Sequence, residues 1–225
     1  MERSMFETLL ELPLFQGLGK DNLTQIIETV KFNFTTFEQN QIIARQDEVC
    51  NHLLFLLKGN LTVSTRSDDH QFTLTERIQA PGVLQAEALY GIYPRFTHTY
   101  TAQSDTCILS VEKQAVNHIF MSYEVFRINI MNLLSTQIFK SQRLLWRSPA
   151  ERLENKIVDF IITKVIYPAG EKTLYIKMED LAKHLNVTRI NVSKALNQMQ
   201  KNGDILLKRK AIIIPALENL VKQNS

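Results

Sequence analysis

The feature that most restricts the fold lies in residues 178–214, where two short helical patterns are joined by a tight turn and followed by two strand patterns. The first helix is predicted to begin near Met178, and Asn186-Val187 forms the turn. Thr188 is a good N-cap for the second helix, and Gly203 suits a left-handed C-cap. This order predicts a helix-turn-helix. The apolar residues that would face inward are Leu181, Ala182 and Leu185 in the first helix, and Val192, Ala195, Leu196 and Met199 in the second.

The strand patterns at 205–207 and 211–214 flank the basic run Lys208-Arg209-Lys210, which predicts a β-hairpin with a cationic tip, a wing. The outward side chains of the second helix suit DNA, since Arg and Lys can bond guanine edges, Asn can bond adenine, and Ile can touch a thymine methyl. Groups near the helix N-terminus and the wing cations would meet phosphates. The alternative is an ordinary helical hairpin with a solvated basic face. The predicted DNA-binding residues are Thr188, Arg189, Ile190, Asn191, Ser193, Lys194, Asn197, Lys208, Arg209 and Lys210.

Charge is distributed unevenly along the chain. Residues 1–146 carry 12 Lys and Arg against 15 Asp and Glu, a net −3, whereas residues 147–225 carry 14 against 8, a net +6. A basic C-terminal part is typical of a domain that meets a polyanion, although an uneven solvated surface would show the same asymmetry.

Residues 31–111 show short strand patterns separated by turn signals. The strand 53–57 is wholly apolar, residues 67–70 suit a hairpin tip, and Pro81-Gly82 suits a turn. Many short strands at regular spacing predict a sandwich or a barrel. Residues up to about Val30 are predicted to form short helices that precede it.

Residues 123–146 contain no Pro or Gly and carry apolar residues at three- and four-residue steps, which predicts a helix of about 35 Å. Ser148 could cap the next helix, with Pro149 at its first position. Because the long helix connects two differently built halves, we expect a coiled-coil dimer interface, although a core helix would show a similar stripe. The predicted interface residues are Phe126, Ile130, Leu133, Leu134, Gln137, Ile138, Ser141, Leu144 and Leu145.

Several classes of protein are disfavoured. No apolar run reaches the roughly 18 residues of a membrane helix, and no signal peptide is evident, so we expect a cytoplasmic protein. Cys50 and Cys107 are too far apart to suggest a disulfide framework or a thiolate metal cluster. No nucleophile–base pairing or phosphate-binding glycine loop is evident, so the chain is not expected to be an enzyme, and no metal site is predicted.

The chain resembles the Crp-Fnr family of bacterial transcription regulators over nearly its whole length. The resemblance rests on five segments taken in order: Gln46-Asp47-Glu48, Leu54–Gly59, Pro81-Gly82 with Glu87, the hinge 148–153, and Asp180-Leu181-Ala182 with Thr188–Lys194. It implies a homodimer on two-fold-related double-stranded DNA, an effector in the barrel and RNA polymerase as a further partner. The implied fold is α+β: a cyclic-nucleotide-binding-like β-roll (a double-stranded β-helix, or jelly roll), a long dimerisation helix and a winged helix-turn-helix. The expected domains are 1–122, 123–147 and 148–225.

The resemblance is weakest where the family binds cyclic nucleotides. Glu87 matches the ribose-binding Glu, but alignment puts Phe96 where the phosphate-binding Arg belongs, with Thr97 at the hydroxyl position and Arg95 one residue early. Ile138 also replaces a polar adenine contact beside Gln137. A phosphate without its Arg loses a charge-assisted contact, so cAMP is not the expected ligand. The candidate effector-binding residues are Glu87, Arg95, Thr97, Gln137 and Ile138, and no cofactor is predicted beyond an unknown small molecule.

The reading helix also departs from the family pattern, Arg-Glu-x-x-x-Arg. Arg189 is retained, whereas Ile190 and Lys194 replace the Glu and the second Arg, so the operator should differ from the family's usual half-site. Two other functions stay open at this point: a cyclic-nucleotide-binding regulatory subunit that acts on a protein partner, and a cupin-type metalloenzyme, for which His52, His70 and His98 lack suitable spacing.

Overall fold

The computed structural model describes residues 5–146, 148 and 150–223. Short strands occupy most of residues 33–112, and helices occupy most of the other described residues. The helices are α1 (Met5–Leu10), α2 (Lys20–Thr29), α3 (Lys113–Ser122), α4 (Glu124–Leu145), α5 (Leu153–Ile162), α6 (Met178–His184), α7 (Arg189–Lys201) and α8 (Leu217–Gln223), with one 3₁₀ helix at Ala86–Leu89. The strands are β1 (Asn33–Phe37), β2 (Ile42–Ala44), β3 (His52–Lys58), β4 (Asn60–Arg66), β5 (Phe72–Gln79), β6 (Gly82–Leu84), β7 (Thr99–Ala102), β8 (Thr106–Glu112), β9 (Lys172–Ile176), β10 (Leu206–Lys208) and β11 (Ala211–Ile214).

The chain divides into two units. The first comprises Met1–Leu61 and Ile78–Leu145, and the second comprises Thr62–Arg77 and Trp146–Ser225. Most of the β4–β5 hairpin therefore belongs to the second unit, although the first unit flanks it in sequence on both sides. The domain boundaries expected at residues 122 and 147 stay a prediction.

The first unit is built on an antiparallel sheet in the order β1-β8-β3-β6, together with an antiparallel pair of β2 and β7. Strand β3 carries four successive buried residues, 53–56, as the apolar run at 53–57 predicts for a strand covered on both faces. The rings of Phe55 and Phe126 both pack against Phe15, with centroids 5.5 and 5.2 Å from it. The segment between α1 and α2 thus shares one core with α4 and the sheet.

Helix α4 has 22 residues and confirms the long helix expected at 123–146. Phe126 and Ile130, which we expected at a dimer interface, are 0% and 4% exposed in the core of the first unit. The next helix begins at Leu153, with Arg152 at its N-cap, so the prediction that Ser148 caps it is wrong. The residues just before Leu153 are not helical, and the carbonyl of Arg152 accepts the first helical hydrogen bond, from Lys156. Pro149 lies outside the described residues.

The second unit contains α5–α8 and strands in the order β10-β11-β9-β5-β4. Its core is aliphatic because α5 turns Ile157, Val158 and Ile161 inward, while β9 and β11 contribute Leu174 and Ile214.

The expected α+β class is confirmed, with N-terminal sheets, a long helix and a C-terminal helix-turn-helix that a β-hairpin follows. The predicted strand at 53–57 and the hairpin tip at 67–70 are both present. Strands β2, β6, β7 and β9 were not predicted, and each has only three to five residues.

Candidate nucleic-acid interface

The helix-turn-helix consists of α6 and α7 with residues 185–188 between them. The backbone amide of Val187 donates to the carbonyl of Ala182 at 3.0 Å, and Asn186 takes a left-handed conformation at φ 52°. Asn tolerates this conformation better than most residues, which explains the tight turn at this position. The predicted inward residues Leu181, Ala182 and those of the second helix are all buried.

Both ends of α7 are capped as the sequence predicts. Oγ1 of Thr188 accepts a hydrogen bond from the amide of Asn191 at 3.3 Å. Gly203 has φ 81°, its amide donates to Gln200, and the amide of Asp204 donates to Met199, which is the Schellman arrangement. The buried residues of α7 are Val192, Ala195, Leu196 and Met199, which fixes the face that the helix turns outward.

The outward face of α7 is polar, with one apolar exception. Ile190 is 67% exposed, an unusual position for a large aliphatic side chain. Ser193 is half-buried. The exposed residues on this face are Arg189, Ile190, Asn191, Lys194 and Asn197. This surface offers three kinds of hydrogen-bond donor: the forked guanidinium of Arg189, the ammonium of Lys194 and the side-chain amides of Asn191 and Asn197. The apolar side chain of Ile190 can contact a methyl group.

The wing is a hairpin of β10 and β11 in which Lys208 pairs with Ala211, so that Arg209 and Lys210 form the two-residue turn. Lys210, the second residue of the turn, takes a left-handed conformation with φ 60°. The amide of Leu207 donates to Oε1 of Gln200 on α7 at 3.2 Å. This bond holds the wing beside α7, and no local sequence pattern predicts it.

A groove of about 240 Å³ separates the wing from α7. Its polar lining consists of the cationic residues Lys177, Arg189, Lys208 and Lys210 and one acidic residue, Glu179, and the rest of the lining is apolar. Four cationic side chains around one groove favour a polyanion. Lys177, which immediately precedes α6, was missed because nothing in its local sequence sets it apart from a surface lysine.

Three of the candidate effector residues, Glu87, Arg95 and Thr97, precede the helices α3 and α4 in the first unit. The Arg95 guanidinium donates to the backbone carbonyl of Asp47, and Phe96 is buried in the core. Glu87 and Thr97 are exposed, and the Thr97 amide donates to Oε1 of Gln85 at 3.0 Å. Phe96 therefore lies in the core at the position where the alignment expects the phosphate-binding Arg, and the expectation that cAMP is not the ligand stays a prediction.

On α4, Gln137 is half-buried, and its Oε1 is buried with no hydrogen-bond partner among the described residues. Ile138 is 59% exposed. The predicted interface residues outside the core divide into half-buried Leu133, Leu134 and Leu144 and exposed Ser141 and Leu145. Exposed Met131 was missed, although it lies seven residues before Ile138, a spacing that a heptad analysis would have found.

No group of three His, Cys, Asp or Glu side chains among the described residues could hold a metal ion. No helix in the same part of the chain is both long and apolar enough to cross a membrane.

Comparison with known families decides the kind of protein. The model of the family described as "Cyclic nucleotide-binding domain" matches residues 34–123, and that of the "Crp-like helix-turn-helix domain" matches residues 144–222. The chain belongs to the Crp-Fnr family of DNA-binding transcription regulators. Members of this family are generally not enzymes. No curated protein sequence matches the chain significantly.

Solved structures of Crp-Fnr regulators share the fold. The catabolite activator protein of Thermus thermophilus is 16% identical, with TM-score 0.50, over 94% of this chain and 97% of that one. A Crp/Fnr-family transcriptional regulator from Eubacterium rectale is 21% identical, with TM-score 0.53, over 95% and 98%. The sensor domain of the regulator DNR from Pseudomonas aeruginosa is 14% identical, with TM-score 0.52, over 65% and 95%.

Proposed function

We propose that this regulator acts as a homodimer that reads a two-fold-related DNA site with α7 and the wing, under the control of a small molecule other than cAMP. The observation that carries the proposal is the exposed polar face of α7, capped by Thr188 and flanked by the wing cations Lys208, Arg209 and Lys210.

Each exposed group has a chemical role on DNA. Arg189 can donate two parallel hydrogen bonds to a guanine, Asn197 can pair with an adenine, and exposed Ile190 can pack on a thymine methyl. Thr188 and Asn191 lie at the N-terminus of α7, where backbone amides and the helix dipole attract phosphate. The net +6 of residues 147–225 supports the same role, because backbone binding depends on the number of phosphates neutralised.

The surface of α4 supports the dimer. Met131, Ile138 and Leu145 recur every seven residues and are 49%, 59% and 83% exposed, with Leu134 and Ser141 between them. This is the spacing of a coiled-coil seam. Because Phe126 and Ile130 face the core of their own unit, the proposed seam is Met131, Leu134, Ile138, Ser141 and Leu145.

A ligand other than cAMP is supported by the residues that stand where the family binds the cyclic phosphate. Phe96 fills the position where a cyclic phosphate needs an arginine, and Arg95 is held by the carbonyl of Asp47. The half-buried Gln137 with its unpaired Oε1 is the polar group on α4 that a ligand would satisfy. The protein partner that fits the proposed function is RNA polymerase, and the compartment that fits it is the cytoplasm.

The test is sequencing of genomic fragments that the purified protein retains, with and without small molecules from a cell extract. The expected result is a two-fold-symmetric sequence that an Arg189→Ala, Lys194→Ala variant no longer selects. Lys140→Ala, which removes one exposed charge from α4, is the matched control and should select the same sequence. Retention of no preferred sequence by the wild-type protein in any condition would contradict the proposal.

A further inference from the structure

Ile190 differs from the other apolar side chains of α7, which lies wholly within the second unit. It is 67% exposed, whereas Val192, Leu196 and Met199 of the same helix are at most 2% exposed. Among the residues of α7, all of which the structure describes, Ile190 alone exposes a large aliphatic side chain. Packing within the unit therefore does not explain why an isoleucine occupies this position.

Helix stability does not explain Ile190 either. Side chains branched at Cβ lose conformational freedom in a helix, and exposed helical positions favour Ala, Lys, Arg, Glu or Gln. An exposed isoleucine also leaves apolar surface in water. A residue that breaks these local preferences without a gain inside its own domain is the pattern expected of a side chain that contacts another molecule.

The surroundings of Ile190 indicate what kind of molecule it contacts. Its neighbours one helical turn further along α7 are Ser193 and Lys194, and the residues on either side of it are Arg189 and Asn191. All four are polar, so the exposed apolar surface is that of one side chain. A stable protein–protein interface buries a far larger area, about 800 Å² on each partner. One small apolar group within a polar, anionic partner fits this surface better.

The place of Ile190 in the helix-turn-helix indicates the bases of DNA. In this motif the N-terminal residues of the second helix contact base edges in the major groove. Ile190 is the second residue of α7, next to Arg189 and two residues after the N-cap Thr188. The base edges in the major groove include one apolar group, the C5-methyl of thymine. In 5-methylcytosine the same group stands at the same ring position.

A side chain branched at Cβ suits contact with a methyl group. In a helix the χ1 angle of Ile has one strongly preferred rotamer, so Ile190 presents its methyl groups in a nearly fixed direction. Ordering this side chain against a base therefore costs little conformational entropy. The contact removes two apolar surfaces from water, and burial of one methyl group is worth about fourfold in affinity. A pyrimidine without the C5-methyl leaves the side chain without this contact.

We propose that Ile190 reads the C5-methyl group of one pyrimidine in each half-site, and that the regulator therefore senses methylation of a cytosine at that position. This inference rests on the proposed function and adds a chemical mark on the DNA to what α7 reads. Thymine and 5-methylcytosine carry the methyl group, whereas uracil and cytosine lack it. Hydrogen bonding cannot make this distinction, because a methyl group neither donates nor accepts a hydrogen bond, so the distinction belongs to an apolar contact.

The experiment measures binding of the full chain to versions of the selected operator that differ at one pyrimidine of one half-site, scanned position by position. Two ratios are compared: thymine against uracil, each opposite adenine, and 5-methylcytosine against cytosine, each opposite guanine. At one position of the half-site both ratios should be about four, the effect of burying one methyl group. Ile190→Ser should bring both ratios to one. Ile190→Val keeps the branch at Cβ and should keep both ratios measurably above one.

Leu206→Ser is the matched control, because it removes another aliphatic side chain of the same unit, 53% exposed on β10, and should leave both ratios as in wild type. Each ratio is taken within one variant, so a change in overall affinity does not affect it. Retained base preference at the other positions of the half-site shows that α7 of Ile190→Ser is folded.

Ratios of one at every position in wild type would overturn the inference and leave the proposed function standing. Ratios that persist in Ile190→Ser would assign the methyl contact to another residue and overturn it as well. Discrimination of thymine from uracil without discrimination of 5-methylcytosine from cytosine would refute the sensing of methylation. If wild type selects no operator, the proposed function and the reading of the methyl group fail together.

Discussion

The phenyl rings of Phe15 and Phe126 lie 5.2 Å apart between centroids, tilted by 54°, in the core of the first unit. This contact fixes the rotation of α4 about its axis, so that Met131 and Ile138 remain exposed on a separate face. Ile138→Glu should therefore weaken the proposed dimer by about 3 kcal/mol, roughly a hundredfold in dissociation constant, because it would place an unpaired charge in the proposed seam. Sedimentation equilibrium measures this directly.

Phe139→Glu is the matched control for the seam. Phe139 is 60% exposed on the same helix, next to Ile138 but outside the heptad positions of the seam. It should leave the dimer intact. Dimers that survive Ile138→Glu, or that Phe139→Glu dissociates equally, would place the interface elsewhere.

Gly59, between β3 and β4, has φ 97°, and a Cβ at this position would lie 2.6 Å from the carbonyl oxygen of Asp105. Both the backbone conformation and the space exclude a side chain. Gly59→Ala should destabilise the first unit by about 2–4 kcal/mol, since the left-handed cost adds to a backbone clash. Gly82→Ala, where a Cβ would meet nothing within 4 Å, should change the midpoint of urea unfolding little. Equal effects of the two substitutions would contradict this account.

The helix-turn-helix could be predicted because its signals are local. Thr188, Asn186 and Gly203 each determine the backbone within a few residues of themselves, and the inward face of α7 follows from helical periodicity. The strand β9 could not be predicted in this way, since it is short and pairs with β5, about 100 residues earlier in the chain. From its local sequence Lys172 cannot be distinguished from a surface lysine, and only the structure shows that it forms an ion pair with Glu76.

The orientation of α4 was also beyond the sequence argument. Its inward residues Phe126 and Ile130 and its exposed residues Met131 and Ile138 are all apolar. Periodicity alone therefore indicates two possible apolar stripes along α4. The contact between Phe126 and Phe15 shows which of the two faces the core.

His98 gives the first unit a predicted sensitivity to acid. Burial lowers the pKa of His98 from 6.5 to about 4, and its ring contacts that of Tyr100 edge-on at 6.3 Å. Between pH 6.5 and 4 the unfolded chain binds a proton that the folded chain does not, so stability falls as the pH falls through this window. The loss should reach at most about 3 kcal/mol and level off below pH 4.

His98→Gln should flatten the dependence of the unfolding free energy on pH between 6.5 and 4. His118→Gln, on an exposed position of α3, should leave it as in wild type. Urea titrations at several pH values compare the three proteins. An unchanged slope in His98→Gln would show that another group is responsible.

Arg189 and the wing are predicted to make different contributions to DNA recognition. Arg189→Ala should relax specificity at one base pair per half-site, since a bidentate base contact is worth about 1–3 kcal/mol of discrimination. Lys208→Ala and Arg209→Ala should weaken binding to all sequences alike and reduce the salt slope by roughly one each, because phosphate contacts release counterions without reading bases. Two reading helices entering successive major grooves place the half-site centres about 10 base pairs apart.

Binding titrations over a range of salt concentrations, on the selected operator and on variants changed at each position, separate these contributions. Lys140→Ala should alter neither the sequence preference nor the slope, since Lys140 lies on α4 outside the proposed DNA-binding surface. The assignment of roles fails if Arg189→Ala lowers affinity for every sequence equally, or if Lys208→Ala changes the preferred base at any position. In the first case Arg189 would be a phosphate contact, and the exposed Asn197 and Lys194 would have to supply the sequence preference.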